Sequence, residues 1–333
     1  MSEFVLRTRD VAFEREATTL APGATLSIGS IGRAIPEPLD DWRTAFERDR
    51  DRILHTKAFR RLKHKTQVFM NPESDHFVTR MTHTLQVTQI GGAIARALSL
   101  NDDLAEAVCL GHDVGHPPFG HTGEDVLSEF VEGEWSHSDQ SVRIFEVLEP
   151  LNLSWEVLDG IRAHPWKVED RASTHEGTIV RFSDRIAYLA HDALDAIRAG
   201  VLDATSFPPD VLAAFGEPGR EWVNVMVQSV IDESYRCNEI AMEPHILAAM
   251  HGLREFMFEH VYLRPGAQAQ RSRAQQIVRE LVEYYLEHLD EIPESYQHDK
   301  ADDLTRVIDY VAGMTDRYAI RTHDELFRPR LFE

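Results

Sequence analysis

Apolar residues recur three and four positions apart along most of this chain, the spacing that lines one face of an α-helix. Residues 42–65 read as one charged amphipathic helix whose stripe is Phe46, Ile53, Leu54, Phe59 and Leu62. Residues 76–98 carry Val87, Ile90, Ile94 and Leu98 at helical spacing, and residues 102–113 carry Leu104, Val108 and His112. That third helix is expected to stop at Gly115, Pro117 and Pro118, because proline cannot continue a helix. Thr122, with Asp125 three residues on, reads as the start of a short helix. Further helices are expected over 138–149, 154–164, 176–199, 222–242, 243–262, 272–290 and 301–313. Gly, Pro and small polar residues break the pattern at 17–38, 200–220, 264–271 and 291–300. No run of alternating β-branched residues signals a strand, and no internal repeat, low-complexity tract or heptad run is visible. The expected fold is all-α.

Composition narrows the picture. The chain has 333 residues, enough for one large or about two ordinary domains and for burial of roughly 75% of its unfolded surface. Two uncharged stretches, Met81–Ala95 and Ala17–Gly32, are too short and too polar to span a bilayer, which takes about 20 mostly apolar residues. The first ten residues lack the order of a signal peptide. Cys109 and Cys237 cannot make a disulfide framework, so a reducing cytoplasm is the expected compartment. The net charge of −21 excludes a general binder of nucleic acid or anionic membranes. An anionic substrate then needs a local basic pocket or metal ions.

Candidate chemistry concentrates in the histidines. Residues 111–121 read Gly-His-Asp-Val-Gly-His-Pro-Pro-Phe-Gly-His, on a helix end and the tight loop after it. Adjacent His112 and Asp113 point about 100° apart on a helix, so a complete metal site needs ligands from other helices. His83, in Arg-Met-Thr-His-Thr, and Asp184, in Phe-Ser-Asp-Arg, are candidates. Two imidazoles and two carboxylates form a mixed N/O set that suits Mn, Fe, Zn or Mg. A His-Asp dipeptide alone is weak evidence, since His191-Asp192 is a second one.

Four segments in order carry a resemblance to a known family. They are residues 48–69 (RDRDRILHTKAFRRLKHKTQVF), 79–84 (TRMTHT), 111–121 and 309–319 (DYVAGMTDRYA). The chain resembles the HD-domain metal-dependent phosphohydrolases. More narrowly, it is similar to the deoxynucleoside triphosphate triphosphohydrolases, the bacterial dGTPase-like family, over about residues 40–325. The resemblance implies a helical bundle with a metal at its centre, held by His83, His112, Asp113 and Asp184. It implies hydrolysis of dNTP to deoxynucleoside and inorganic triphosphate, by attack of metal-bound water at the α-phosphorus. The cation is expected to be Mn²⁺ or Mg²⁺, with Fe, Zn or Co also admissible. The domain reading is an N-terminal segment (1–40), an HD-type core (41–200, its metal-binding region about 78–192) and a C-terminal helical region (201–333).

Other residues take candidate roles within that reaction. His116 and His121 lie near the metal by sequence and can move protons near neutral pH. His121 and Glu124 match the family's catalytic histidine–acid pair, with Glu124 expected to orient His121 and raise its pKa. His137 matches a phosphate-site histidine, and Gln67 belongs at the sugar by resemblance. Arg80 shares a helical face with His83 and could contact the α-phosphate. Asp184, Tyr188 and Asp192 follow at i, i+4 and i+8, a stripe that would put a ring under the deoxyribose and a carboxylate on its 3′-hydroxyl. Tyr188 reads equally as core packing. Arg254 is a weaker phosphate candidate. The basic run Lys57, Arg60, Arg61, Lys63, His64, Lys65 is either a solvated helix face or an anion site for triphosphate, an activating dNTP or single-stranded nucleic acid. Family resemblance also implies a homo-oligomer. Two rival readings stand: another HD phosphohydrolase, such as a nucleoside monophosphatase or cyclic-nucleotide phosphodiesterase, and a non-enzymatic nucleotide sensor.

Overall fold

The structure, a computed structural model, describes residues 4–67, 77–297 and 300–329. The expected helix start at residue 76, the last two residues of the 48–69 segment and residues 298–299 of the last break lie outside the described residues. Among the described residues the regular structure is helical: α1 (Arg9–Thr19), α2 (Ala45–Leu54), α3 (Lys57–Arg61), α4 (Arg80–Ala97), α5 (Asp102–Gly111), α6 (His121–Ser128), α7 (His137–Arg143), α8 (Trp155–Ala163), α9 (His175–Arg198), α10 (Pro209–Phe215), α11 (Glu221–Cys237), α12 (Pro244–Met257), α13 (Pro265–Glu287), α14 (Asp303–Ala312) and α15 (Asp316–Phe327). Helices α7 and α12 each run on into a π-helical turn, at 144–148 and 258–262. The fold is all-α, as the periodicity predicts.

Helix starts follow local chemistry. Thr79 and Thr174 accept from backbone N–H groups at the starts of α4 and α9, and Asn101 does so for α5. The expected single helix over 42–65 is divided. Thr56 breaks it, its hydroxyl accepting from Phe59 N at 3.0 Å, while Glu149 accepts from Lys57 N and Ala58 N. A threonine that bonds the local backbone competes with helix continuation. Leu54, placed on the apolar stripe by spacing, faces solvent at that break. The expected break at 264–271 is instead the start of α13, with Pro265 at its first position, where proline costs no hydrogen bond. Helix α6 starts at His121 rather than Thr122, behind Gly120 with no side-chain cap.

Helices α4, α5 and α9 pack against one another, with α2 and α8 against α5 and α11 against α4 and α9. Val87, Ile90 and Ile94 from α4, Leu104 and Val108 from α5, and Ile179 and Ile186 from α9 are fully buried there. Each such side chain contributes roughly 1.5–3 kcal/mol relative to exposure. This core extends through α12 to Val261. A second core gathers Phe119, Val126, Leu127 and Trp135 against α13, α14 and α15. The loop between α5 and α6, which carries the histidine run, is therefore clamped between two cores.

Polar ties complete the clamp. Asp316, which opens α15, accepts from Thr66 N at 2.8 Å and from Phe119 N at 3.0 Å. Asp309 on α14 holds Arg143 and Gln140 of α7. Lys65 is buried, and its Nζ donates to the carbonyls of His116 and Ala312. The 309–319 segment thus braces the histidine loop. Two glycines let that loop fold. A Cβ on Gly115 would lie 2.3 Å from the His137 carbonyl and from Ser141 N, so only glycine fits against α7. Gly120 has φ +59° beside Phe119 at φ +63°, a left-handed turn that redirects the chain into α6. Gly115→Ala should cost about 1–3 kcal/mol, the usual range for overpacking. Thermal and urea unfolding measure this, and an unchanged midpoint would remove the close-approach argument.

Candidate metal centre and active-site cleft

The packing of α4, α5 and α9 brings four donors to one point. His83 Nε2 lies 3.0 Å from Asp184 Oδ1 and 3.9 Å from Asp113 Oδ2. His112 Nε2 lies 3.5 Å from Asp113 Oδ1 and 3.9 Å from Asp184 Oδ1. His83, His112 and Asp113 are buried, and Asp184 is partly open. All four ligands expected from sequence therefore converge.

The donor chemistry fits a divalent cation. His112 Nδ1 donates to the Cys109 carbonyl at 2.6 Å, so its Nε2 carries a lone pair. That Nε2 is buried without a hydrogen-bond partner, and a buried unpaired acceptor is costly unless a positive charge meets it. Burial works against ionisation of Asp113, but His112, Arg80 and His116 together hold its carboxyl well below the usual range. Burial likewise opposes ionisation of Asp184, and His83 outweighs it to hold that carboxyl down to about 2. Both acids are thus carboxylates, as ligands must be.

Arg80 is drawn into this centre. Its Nη1 pairs with Asp113 Oδ2 at 2.9 Å, and both side chains are buried. Its Nε and Nη2 have no partner, so the guanidinium keeps donors for an anion while it fixes Asp113.

Histidines continue outward from the metal set. His116 Nε2 lies 3.2 Å from Asp113 Oδ1, and its ring stacks on His137 with centroids 3.8 Å apart. Burial, Arg80 and His137 push the His116 pKa far down. Solvent reaches the His121 ring although protein surrounds it on most sides. Its centroid is 5.1 Å from that of His116. The expected Glu124–His121 pairing is replaced by a Glu124–His137 pairing. Glu124 Oε1 meets His137 Nδ1 at 3.1 Å and accepts from His137 N at 3.1 Å, with Lys167 Nζ 3.6 Å away. Helix α7 begins at His137, and its free N–H groups draw the carboxylate there. The His121 pKa is lowered, not raised, because burial outweighs Glu124 at this distance. Burial opposes ionisation of Glu124, yet His137 keeps its carboxyl below the ordinary range.

The α9 stripe leads to the substrate candidates. Tyr188 is half-buried against the large core. Asp192 is buried and accepts from Tyr262 Oη at 2.8 Å, and burial raises its pKa to about 7. Arg254 on α12 lies over the Phe258 ring at 4.4 Å. Arg185, next to Asp184, lies over the Trp166 ring at 3.8 Å. Burial and then Arg254 lower the Arg185 pKa, with Tyr188 acting in the opposite sense. Two arginines thus gather around Tyr188 in an acidic chain. Gln67 follows the bridge between Thr66 and Thr79 at the start of α4, and its Oε1 is buried without a partner. The basic run is divided: Lys57, Arg60, Lys63 and His64 are exposed, while Lys65 is buried. A uniform basic face is therefore not present.

Sequence reasoning missed three residues. His164 Nε2 lies 3.2 Å from His137 Nε2, with its Nδ1 on the Ile161 carbonyl at 2.8 Å. Tyr262 and Arg185 went unremarked as well. A signal existed for two of them: His164-Pro165 repeats the His116-Pro117 pattern at a helix end, and Arg185 adjoins a ligand.

Comparisons with known proteins give the family. Residues 80–189 match the HD domain family, and residues 240–325 match the phosphohydrolase-associated domain. A deoxyguanosinetriphosphate triphosphohydrolase-like protein of Caldanaerobacter subterraneus is 46% identical over 97% of each chain. Proteins of the same name from Desulfatibacillum aliphaticivorans and Clostridium perfringens are 43% and 42% identical, covering 95% and 92% of this chain and 97% and 94% of theirs. No described helix is long and apolar enough to cross a membrane. The chain is a hydrolase-type HD-domain protein and belongs to the deoxyguanosinetriphosphate triphosphohydrolase-like family.

Proposed function

We propose that this protein hydrolyses deoxynucleoside triphosphates to deoxynucleoside and inorganic triphosphate. The carrying observation is the four-donor centre of His83, His112, Asp113 and Asp184 beside the solvent-reached His121. The names of the relatives support the same substrate class. A divalent cation in that centre, Mn²⁺ or Mg²⁺ by the N/O donor set, lowers the pKa of water and takes charge from a phosphate oxygen.

The chain's residues supply the rest. Arg80 directs its free Nη2 at the α-phosphate while its Nη1 stays on Asp113. His121 gives a proton to the departing 5′-oxygen, because it is the histidine of the run that solvent reaches. Glu124 fixes His137, His137 backs His116, and His116 backs His121. Arg185 and Arg254 receive the β- and γ-phosphates. Tyr188 lies under the deoxyribose, and Asp192, oriented by Tyr262, accepts from the 3′-hydroxyl. Gln67 closes the sugar site.

Incubation with each dNTP, NTP, nucleoside monophosphate and cyclic nucleotide, with Mn²⁺ or Mg²⁺, tests this reading. Free triphosphate from dNTP, followed by ³¹P NMR, is expected. Orthophosphate from a monophosphate, or opening of a cyclic nucleotide, would assign another HD phosphohydrolase activity. Tight nucleotide binding without turnover would make the protein a sensor.

Two substitutions probe the sugar site. Tyr188→Ala should narrow the dNTP/NTP ratio of kcat/KM by about 5- to 150-fold, the equivalent of roughly 1–3 kcal/mol. An unchanged ratio would make Tyr188 a packing residue. Asp192→Ala should leave the metal in place and raise KM for dNTP, and loss of metal there would make His191-Asp192 the ligand pair.

A further inference from the structure

Arg185 is a buried cation without an ion-pair partner. The residue is 6% exposed, its Nε has no hydrogen-bond partner, and among the described residues no acidic side chain pairs with it. Burying such a charge is costly unless something stabilises it. What meets it is an indole: Arg185 Cζ lies 3.8 Å from the centroid of the Trp166 ring. A guanidinium over an aromatic face is attracted by the ring quadrupole, most strongly where water is excluded. The ring has no net charge, so it stabilises the cation without cancelling it. A carboxylate partner would have taken N–H groups as well as charge, as Asp113 does from Arg80.

The indole itself is fixed by α9. Trp166 sits in the loop after α8, and its Nε1 donates to the Arg181 carbonyl at 2.8 Å. Arg181 Nη2 donates in return to the carbonyls of Pro165, Trp166 and Val168, at 3.2, 2.8 and 2.6 Å. Arg181 and Arg185 are four positions apart and share a face of α9, but their tasks differ. Arg181 ties the loop down, and Arg185 makes no such bond. Phe182 and His251 stand nearly perpendicular to the indole, with centroids at 5.3 and 5.7 Å. His251 lies on α12, three positions before Arg254. The ring is thus wedged between the two helices whose arginines are proposed to receive the β- and γ-phosphates. An aliphatic side chain would serve packing alone, and the indole adds a face that holds a cation.

We propose that Trp166 is a positioning residue for the distal phosphates of the substrate: its ring holds the Arg185 guanidinium in place and leaves N–H groups free for a phosphate. The inference deepens the triphosphate reading and rests on it. Trp166 acts through Arg185 and touches no reacting atom. Its signature is selectivity by phosphate-chain length. Ligands that carry distal phosphates sense the ring, and a monophosphate held at Arg80 does not.

Calorimetric titration at fixed Mg²⁺ with inorganic triphosphate and with dGMP tests this on the full chain. Trp166→Leu should weaken triphosphate binding about 5- to 30-fold, the usual effect of losing a desolvated cation–π contact, and leave dGMP within about twofold. Trp166→Phe keeps an aromatic face and should lose only about 2- to 3-fold, again for triphosphate alone. In an Arg185→Ala background, Trp166→Leu should cost nothing further. With dGTP as substrate the loss should fall on KM far more than on kcat. Equal losses for triphosphate and dGMP would make Trp166 a packing residue and overturn the proposal. An undiminished loss in the Arg185→Ala background would overturn it too, since the ring would then act through another group. Should Trp166→Leu not fold, Trp166→Phe carries the test, and a loss shared equally with dGMP, or none, overturns the proposal. A wild type that binds triphosphate no better than orthophosphate also overturns it, whatever the products of dNTP turnover. A wild type that binds triphosphate but hydrolyses no dNTP overturns the reaction instead, and the binding comparison still decides the role of Trp166.

Discussion

Asp113→Ala will lose bound metal, hydrolysis and a large part of the protein's stability together. Asp113 is a proposed ligand, and it is also the ion-pair partner of the buried Arg80 guanidinium. Removing one member of a buried pair leaves an uncompensated charge and costs about 3–5 kcal/mol. Asp184→Ala removes a proposed ligand of the same centre but leaves the Arg80–Asp113 pair whole. It should abolish hydrolysis with a smaller fall in thermal midpoint. The pair of variants therefore separates loss of metal from loss of fold. Turnover, metal analysis and thermal melts on both proteins make the comparison. Asp113→Ala that keeps its metal and its midpoint would contradict the geometry of the centre.

His121→Ala should keep its metal and lower kcat by roughly 10²–10⁴, the usual span for a lost general acid or base. The ring packs edge-on to His116 and His137, and solvent reaches it. Its removal therefore takes away no proposed ligand. Glu124→Gln reports on a different contact. The carboxylate holds His137 rather than His121, so its amide should give a smaller loss in kcat. Near-normal turnover in His121→Ala would take that residue out of the mechanism.

Much of this was legible in the sequence because the chemistry is local or periodic. The 111–121 run places His112, Asp113, His116 and His121 within ten positions, and Pro117, Pro118 and Gly120 announce the tight turn. Helices α4, α5 and α9 were readable from apolar spacing because each buries one long stripe. Helix α1 was not, since Ala12 is its only buried residue and no stripe exists to see. Helix α15 buries Asp316, Ala319 and Thr322, a set that periodic hydrophobicity does not reveal. The division between α2 and α3 depends on one hydroxyl, at Thr56, and on Glu149 from a distant segment.

Within the site, what escaped the sequence were meetings between distant elements. Tyr262 reaches Asp192 across 70 positions, and His164 reaches His137 across 27. Neither carries a spacing signal, because each is a single side chain at a helix end placed by tertiary packing. The partner of Glu124 was misassigned for the same reason. Three residues of separation favoured His121, while the start of α7 brought His137 closer.

The central claim is hydrolysis at the α-phosphorus with triphosphate leaving whole. Turnover of dGTP in ¹⁸O-water, with mass spectrometry of both products, tests it most directly. The account predicts inorganic triphosphate carrying one ¹⁸O and deoxyguanosine carrying none. Label in deoxyguanosine, or release of orthophosphate or pyrophosphate in place of triphosphate, would contradict it.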